Sequence, residues 1–383
     1  MKNYGFIILS VLCLGIGCSG TFPRLEQGTS GNRPKQNLIA PLIPRSSIVG
    51  EFNSSIELAS PVIVGNIVYQ GSIHDAFLAV YKNTGRVVWK VDIPGGVEAG
   101  ASYFDQKIYF GANDGNFYCL DAATGKVIWK YQTKVETFST PVIRGGIVYF
   151  STVNNGLYAL KSNTGEYVWY FNKGYIQKIS VRGSSSPVYH DGKIYIGFSD
   201  GYFYVFNAFD GKTIWFKKLS EDDQINDKFI DVDVTPIIGE KEVFVGSFDG
   251  SLYALDLATG SVRWKFQQRE INGITANDHF IYATTSTRTV FCLKRTTGQK
   301  VWEQMFPKSI PTNPILVEDQ LIVATSEDYV YSLSTENGSE IWQYNLDSGV
   351  NSQPVLEGEK LYIFTNLSTL HIIDPFYLIP RTL

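Results

Sequence analysis

The chain has 383 residues, 44% of them hydrophobic and 18% charged, and a formal net charge of −4. This composition supports a sizeable globular core and excludes the broad basic field that nucleic-acid binding needs. The length allows two average domains or one large all-β domain, and the 35 glycines suit a chain with many tight turns.

The N-terminus, "MKNYGFIILSVLCLGIGCSG", has one early charge at Lys2, an apolar run from Phe6 to Ile16, and then small residues. It has the form of a secretory signal and is too short to span a membrane. The run stops at Cys18 after "LGIG", which resembles a bacterial lipoprotein signal, where the cysteine becomes the lipid-bearing N-terminus. That pattern prefers Leu three places before the cysteine; here Gly15 stands there and Leu14 lies one place further back. The resemblance implies an acyl-bearing (palmitate-type) Cys18 and, with Ser19 following it, placement at the outer membrane, lipid-anchored on the periplasmic face. The alternative is an ordinary cleaved signal in which Cys18 is only a small apolar residue. Residues 19–46 mix Pro, Gly, Ser and Asn without periodicity and are expected to form a flexible tether. No other long apolar segment follows, so the lipid is the expected membrane contact. The expected division is 1–18 signal, 19–46 tether, 47–375 repeat domain and 376–383 tail.

The repeat is carried by tryptophan. All seven, Trp89, Trp129, Trp169, Trp215, Trp264, Trp302 and Trp342, stand four residues after a glycine, as in "NTGRVVW" and "ATGKVIW". They are 40, 40, 46, 49, 38 and 40 residues apart. A period near 40 built from short alternating segments and Asn-Gly or Asp-Gly turns denotes propeller blades of four antiparallel strands, A to D. Trp then lies on D, the outermost strand. The second strand recurs eight times, from "IVYQGS" to "LYIFTN", so the expected fold is all-β, an eight-bladed propeller. The eighth unit ends at Asp374, where strand C ends in the others, and an N-terminal strand must complete it. Regular units place the strand-A proline 12 residues after Trp. Counting back 12 from Pro61 reaches Val49, which predicts that residues 47–52 close the ring. Closure leaves no free sheet edge.

A residue repeated once per blade at fixed register serves packing between blades, so the tryptophans are structural docking residues and the glycines turn residues. This Gly–Trp pattern resembles the tryptophan-docking repeat of eight-bladed quinoprotein propellers, some of which are dehydrogenases using a quinone and calcium. Their adjacent, mutually bonded cysteines are missing here. Cys119 and Cys292 share the strand-C position of Ala159 and Ala254, four blades apart, and are expected to be small core residues out of disulfide reach. His74, His190, His279 and His371 are scattered without ligand spacing, the "SDG" and "FDG" segments fit hairpin turns, and there is no haem-attachment, GxSxG or phosphate-loop motif. No metal, cofactor or catalytic residue is expected, and the chain is not expected to be an enzyme.

The repeat breaks twice. The Trp-to-Pro interval is 18 from Trp169 to Pro187 and 21 from Trp215 to Pro236. These are consecutive D-to-A connectors, which emerge side by side on one face of the ring. The first contains "ISVRGSSSP", with Ile179, Val181 and Arg182; the second contains "DVDVTP", with Asp231 and Asp233 pointing the same way if extended. From composition alone the cluster fits two readings: an Arg–Asp staple between blades, or a compact protein-binding patch. The two runs, in this order and at this blade offset, resemble the BamB family, lipoprotein subunits of the outer-membrane β-barrel assembly machinery. The resemblance implies a non-catalytic scaffold whose residues Ile179, Val181, Arg182, Asp231 and Asp233 bind the POTRA domains of the barrel subunit, BamA. It also implies that the propeller assists insertion of unfolded outer-membrane precursors, with its exposed strands available for strand addition. The competing class is another periplasmic propeller, a quinone-dependent dehydrogenase relic or a solute-binding sensor.

Overall fold

The computed structural model describes residues 35–41 as backbone, and 56–174, 185–220, 229–346 and 348–376 in full. Every regular element among these residues is a β-strand, and the strands form eight four-stranded antiparallel sheets. Blade 1 shows the plan: Val62–Val64, Ile67–Ser72, Ala76–Tyr81 and Val87–Asp92 pair in sequence order. The following blades occupy 102–132, 142–172, 188–218, 237–266, 271–305 and 315–345. Blade 8 takes Val355–Glu357, Lys360–Phe364 and Thr369–Asp374 from the C-terminus.

The hydrophobic interior is partitioned: each of the eight seams between neighbouring blades holds its own apolar cluster. Tyr69, Phe77, Phe110 and Leu120 join blades 1 and 2; Phe150, Phe117 and Tyr109 join 2 and 3; Tyr204, Phe206 and Leu157 join 3 and 4. The same holds for the 4–5, 5–6, 6–7 and 7–8 seams. At the last seam Val68 and Val80 of blade 1 pack on Tyr362, Phe364 and Leu370 of blade 8, which closes the ring. This is why strands B and C are apolar on both faces: each is covered by a neighbouring blade on either side.

Tryptophan links one blade to the next by the mechanism its spacing suggests. On each Trp-bearing D strand the residue before Trp is skipped in the pairing, a bulge that turns the indole towards the following blade. The strand-C residue opposite is usually small: Ala79, Cys119, Ala159, Ala254, Cys292 and Ser332, with Val205 at blade 4. Trp89 Nε1 donates to the Ala122 carbonyl of blade 2 at 3.0 Å, and Trp169 Nε1 to the Ala208 carbonyl of blade 4 at 2.9 Å. The ring lies against the glycine of that same hairpin. A Cβ on Gly211 would meet Trp169 Cδ2 at 2.7 Å, and the glycine's φ of +70° is itself strained for other residues. The repeat therefore has two halves, Trp on one blade and Gly on the next. Cys119 and Cys292 are buried and free, as expected of small core residues.

The ring closes through an N-terminal strand, but through an earlier one than the spacing predicts. Lys35–Pro41 pairs antiparallel with Thr369–Asp374, inside the segment expected to be tether, while residues 47–52 lie outside the described residues. Leu38 pairs with Ile372 and Asn37 is skipped, the same bulge as in the other D strands, so Leu38 and not Val49 takes the Trp position. The count failed because it assumed a regular 12-residue connector. From Leu38 to Pro61 the interval is 23 residues, so this connector is the third lengthened one.

Candidate functional site

The two lengthened connectors leave the D strands of blades 3 and 4. Of the residues singled out there, Ile179, Val181 and Arg182 lie outside the described residues, as does Cys18. Asp231 and Asp233 are described, together with the ends of both connectors.

The first connector starts tethered. Just past blade 3, Lys173 reaches across to blade 4, where its Nζ lies 3.1 Å from Asp200 Oδ2 and 3.6 Å above the Tyr202 ring. Asp200 is buried at a hairpin turn, and Tyr202 N–H donates to its Oδ1 at 3.1 Å. Burial lifts this carboxyl above its ordinary range, against the pull of Lys173. The "SDG" segment thus works as a turn. Among the described residues no cluster of three or more His, Cys, Asp or Glu is placed to hold a metal ion.

The second connector returns as an extended segment wedged into the 4–5 seam. Ile230, Val232 and Val234 are buried, with Val232 in the cluster that joins blades 4 and 5. Its backbone is tied to both sides: Val232 N–H donates to the Phe198 carbonyl of blade 4 at 3.0 Å, and Phe248 N–H of blade 5 donates to the Asp231 carbonyl at 2.9 Å. Alternation then puts Phe229, Asp231 and Asp233 on the opposite side, as the period of an extended chain requires.

The two aspartates differ. Asp231 has no solvent exposure and its side chain is engaged, so it supports the surface from beneath. Asp233 is half-buried, and its Oδ1 is sealed from water without a hydrogen-bond donor. Burial and, next, the nearby Asp231 charge push the Asp233 carboxyl up to about 7. A carboxylate in that condition gains from a cation supplied from outside.

Sequence reasoning missed an aromatic pair beside them. Phe229 is 39% exposed and meets Phe248 edge-on, with ring centroids 5.7 Å apart at 76°. Phe248 was legible as a departure from the repeat. The same turn position carries Ile73, Asn113, Val153, Ser199, Ser286, Ser326 and Asn366 in the other blades.

Fold and site together define a class: an eight-bladed propeller of the tryptophan-docking kind, whose irregular features form a surface between blades 4 and 5. The profile of the family described as outer membrane protein assembly factor BamB matches residues 58–304 and 305–374, and the chain belongs to that family. It is 30% identical over 296 residues to the outer membrane protein assembly factor BamB of Salmonella typhimurium, covering 73% of this chain and 74% of that one. The Escherichia coli K12 protein of the same name is 30% identical over 292 residues, with the same coverage. Among solved structures, BamB from Moraxella catarrhalis superposes with a TM-score of 0.76 over 84% of this chain and 98% of its own, at 20% identity. A quinohemoprotein alcohol dehydrogenase from Comamonas testosteroni gives a TM-score of 0.71 over 88% of this chain and 76% of its own, at 12% identity, which shows a shared fold and nothing about activity. The relatives place the chain among outer membrane protein assembly factors and not among the dehydrogenases.

Proposed function

We propose that this protein is a lipid-anchored, non-catalytic scaffold of the outer-membrane β-barrel assembly complex, docking on the soluble POTRA domains of the barrel subunit through the connectors 170–187 and 216–236. The observation that carries this is the surface at the 4–5 seam. Phe229 and Phe248 offer an exposed aromatic edge, the half-buried Asp233 adds a carboxyl beside them, and Phe229 and Asp233 stand on a segment tied to blades 4 and 5 by the backbone of Val232 and Asp231. Aromatic and charged anchors on a rigid base are the composition of an interface hot spot. Arg182, Ile179 and Val181 of the neighbouring connector belong to the same proposed surface. Cys18 carries the anchor, and the propeller faces the periplasm. Exposed aliphatics on the outermost strands, among them Val88, Ile128 and Ile214, are compatible with strand addition by unfolded barrel precursors.

The test is binding of the POTRA fragment of the same organism's barrel subunit to the wild type and to Arg182→Glu, Phe229→Ala and Asp233→Asn, with a thermal midpoint for each. Loss of one central anchor costs about 2 kcal/mol, close to 30-fold in Kd. Asp231 is unsuitable for charge reversal because it is fully buried, and Asp231→Lys would strand a charge in the seam. Full affinity in all three variants would remove this surface from the interface.

A further inference from the structure

The seam where the ring closes differs chemically from the others. At six of the other seams a tryptophan of one blade lies on the hairpin glycine of the next, and at the 7–8 seam Trp342 instead donates from Nε1 to Gln320 Oε1 of its own blade at 2.9 Å. At the closing seam Leu38 takes the tryptophan's pairing position opposite Ile372, so blade 1 receives no indole from blade 8. Four residues before the strand-A proline position, four other seams carry a fully buried Val97, Thr137, Val232 or Val350; in blade 6, whose strand A is bulged, the fully buried Ile271 stands three residues before that position, and Ile310 at the 6–7 seam is exposed. The closing seam carries Glu57, also fully buried.

That carboxylate is satisfied from both ends of the chain. Glu57 Oε1 accepts from Ser72 Oγ of blade 1 at 2.7 Å and from Ser368 Oγ of blade 8 at 2.7 Å. Its Oε2 accepts from Ile73 N–H at 3.2 Å, and His74 Nε2 lies 4.0 Å from Oε1. The backbone N–H of Glu57 donates to Asn366 Oδ1 of blade 8 at 3.2 Å. A second polar exception lies alongside. Gln70 is fully buried and donates to the Ala59 and Gly71 carbonyls at 2.8 and 2.7 Å, at a strand position that is apolar in every other blade (Phe110, Phe150, Ile196, Val245, Ala283, Val323, Ile363). Gln70 thereby holds the 57–59 segment in place. Two further polar links cross the same seam: Gln353 N–H to Ser60 Oγ at 3.1 Å, and Lys82 Nζ to Glu357 Oε2 at 3.4 Å.

We propose that Glu57 is a closure-specificity residue: a buried carboxylate satisfied jointly by the first and last blades, which selects closure of the ring on itself over pairing of an open ring with a second copy. The reason is the sameness of the repeat. An apolar seam is nearly interchangeable with any other, and a ring open between blades 8 and 1 offers each copy's edge to its neighbour, the route to domain-swapped oligomers. A buried carboxylate tolerates only a partner that offers matching donors, so mispairing leaves it unsatisfied and is penalised. Such a residue acts through discrimination, and an apolar replacement need not lower the stability of the closed monomer.

The experiment unfolds and refolds the full chain in detergent at several protein concentrations and measures oligomeric state by size exclusion with light scattering, with a thermal midpoint for the monomer. Glu57→Val, which installs the residue of other seams, is expected to keep the monomer's midpoint within about 2 °C while raising the oligomer fraction at least fivefold, increasingly with concentration. Ser368→Ala, which removes only the donor from blade 8, is expected to raise it as well, to a smaller extent. Two outcomes overturn the proposal: both variants refold to monomer in wild-type yield, or Glu57→Val fails to fold or melts lower without oligomers, which would make Glu57 an ordinary stabilising contact.

Discussion

Gly211→Ala isolates the Trp–Gly joint. Two separate costs are written into that position. The φ of +70° is left-handed, costing a residue with a Cβ about 1–2 kcal/mol. In addition, the new methyl would lie 2.7 Å from both Trp169 Cδ2 and Cε3, well inside contact distance, and such overpacking costs about 1–3 kcal/mol. The sum is about 3 kcal/mol. Unfolding entropy scales with length, and a ring of this size loses about 0.7 kcal/mol of stability per degree near its midpoint, so the expected fall in Tm is about 4 °C. Gly192 in the same blade is the control. Its φ is +72°, but nothing lies within 4 Å of its would-be Cβ, so Gly192→Ala carries the backbone cost alone, about 2 °C. The assay is thermal unfolding of both variants, of Trp169→Leu and of the Gly211→Ala/Trp169→Leu double variant. In the double variant the methyl has room, so its loss should fall short of the sum of the singles by 1–2 kcal/mol, as coupled neighbours do. Equal losses for Gly211→Ala and Gly192→Ala, with strict additivity in the double variant, would refute the docking mechanism and leave the glycines as turn residues only.

Asp233→Asn should alter how stability depends on pH. Its folded carboxyl is raised from 3.8 to about 7, so its contribution is fully present below the unfolded value and is lost as pH rises through about 7. The variant should therefore gain on the wild type between about pH 4 and pH 7; of the ~4 kcal/mol implied by the shift, half-burial leaves about 2, and parallel melting curves across that range would contradict the assignment. Burial pushes the Cys119 and Cys292 thiols up to about 12, so neither should react with a thiol reagent at pH 8 until the ring unfolds, as peptide mapping by mass would show. Removing residues 35–41 unpairs the outer strand of blade 8 and should lower Tm by about 6 °C, on the basis of roughly four net hydrogen bonds of about 1 kcal/mol each. An unchanged midpoint would move the closing strand elsewhere.

By itself the sequence determined the repeat, because the interactions that specify a blade are local. A hairpin glycine at positive φ, a tryptophan four residues on, and alternating apolar residues recur at a period short enough to count. Eight B strands and a missing last D strand followed directly, as did the need for an N-terminal strand to complete the ring. The small residue opposite most of the indoles was also visible in Cys119 and Cys292, which occupy the place of Ala159 and Ala254. The irregular connectors stood out because a regular frame makes departures measurable. The tertiary structure alone decided what depends on contacts between distant residues. The closing strand is Lys35–Pro41, since pairing with Thr369–Asp374 is chosen by complementarity across the whole chain and not by connector length. Asp231 and Asp233 share one sequence motif yet differ in exposure, because the 4–5 seam covers one and leaves the other half open. Phe229 meets Phe248 only once two blades adjoin. Glu57 gave no sign of its role in one dimension, because the hydroxyl of Ser368 that satisfies it lies 311 residues away in the chain and 2.7 Å away in the ring.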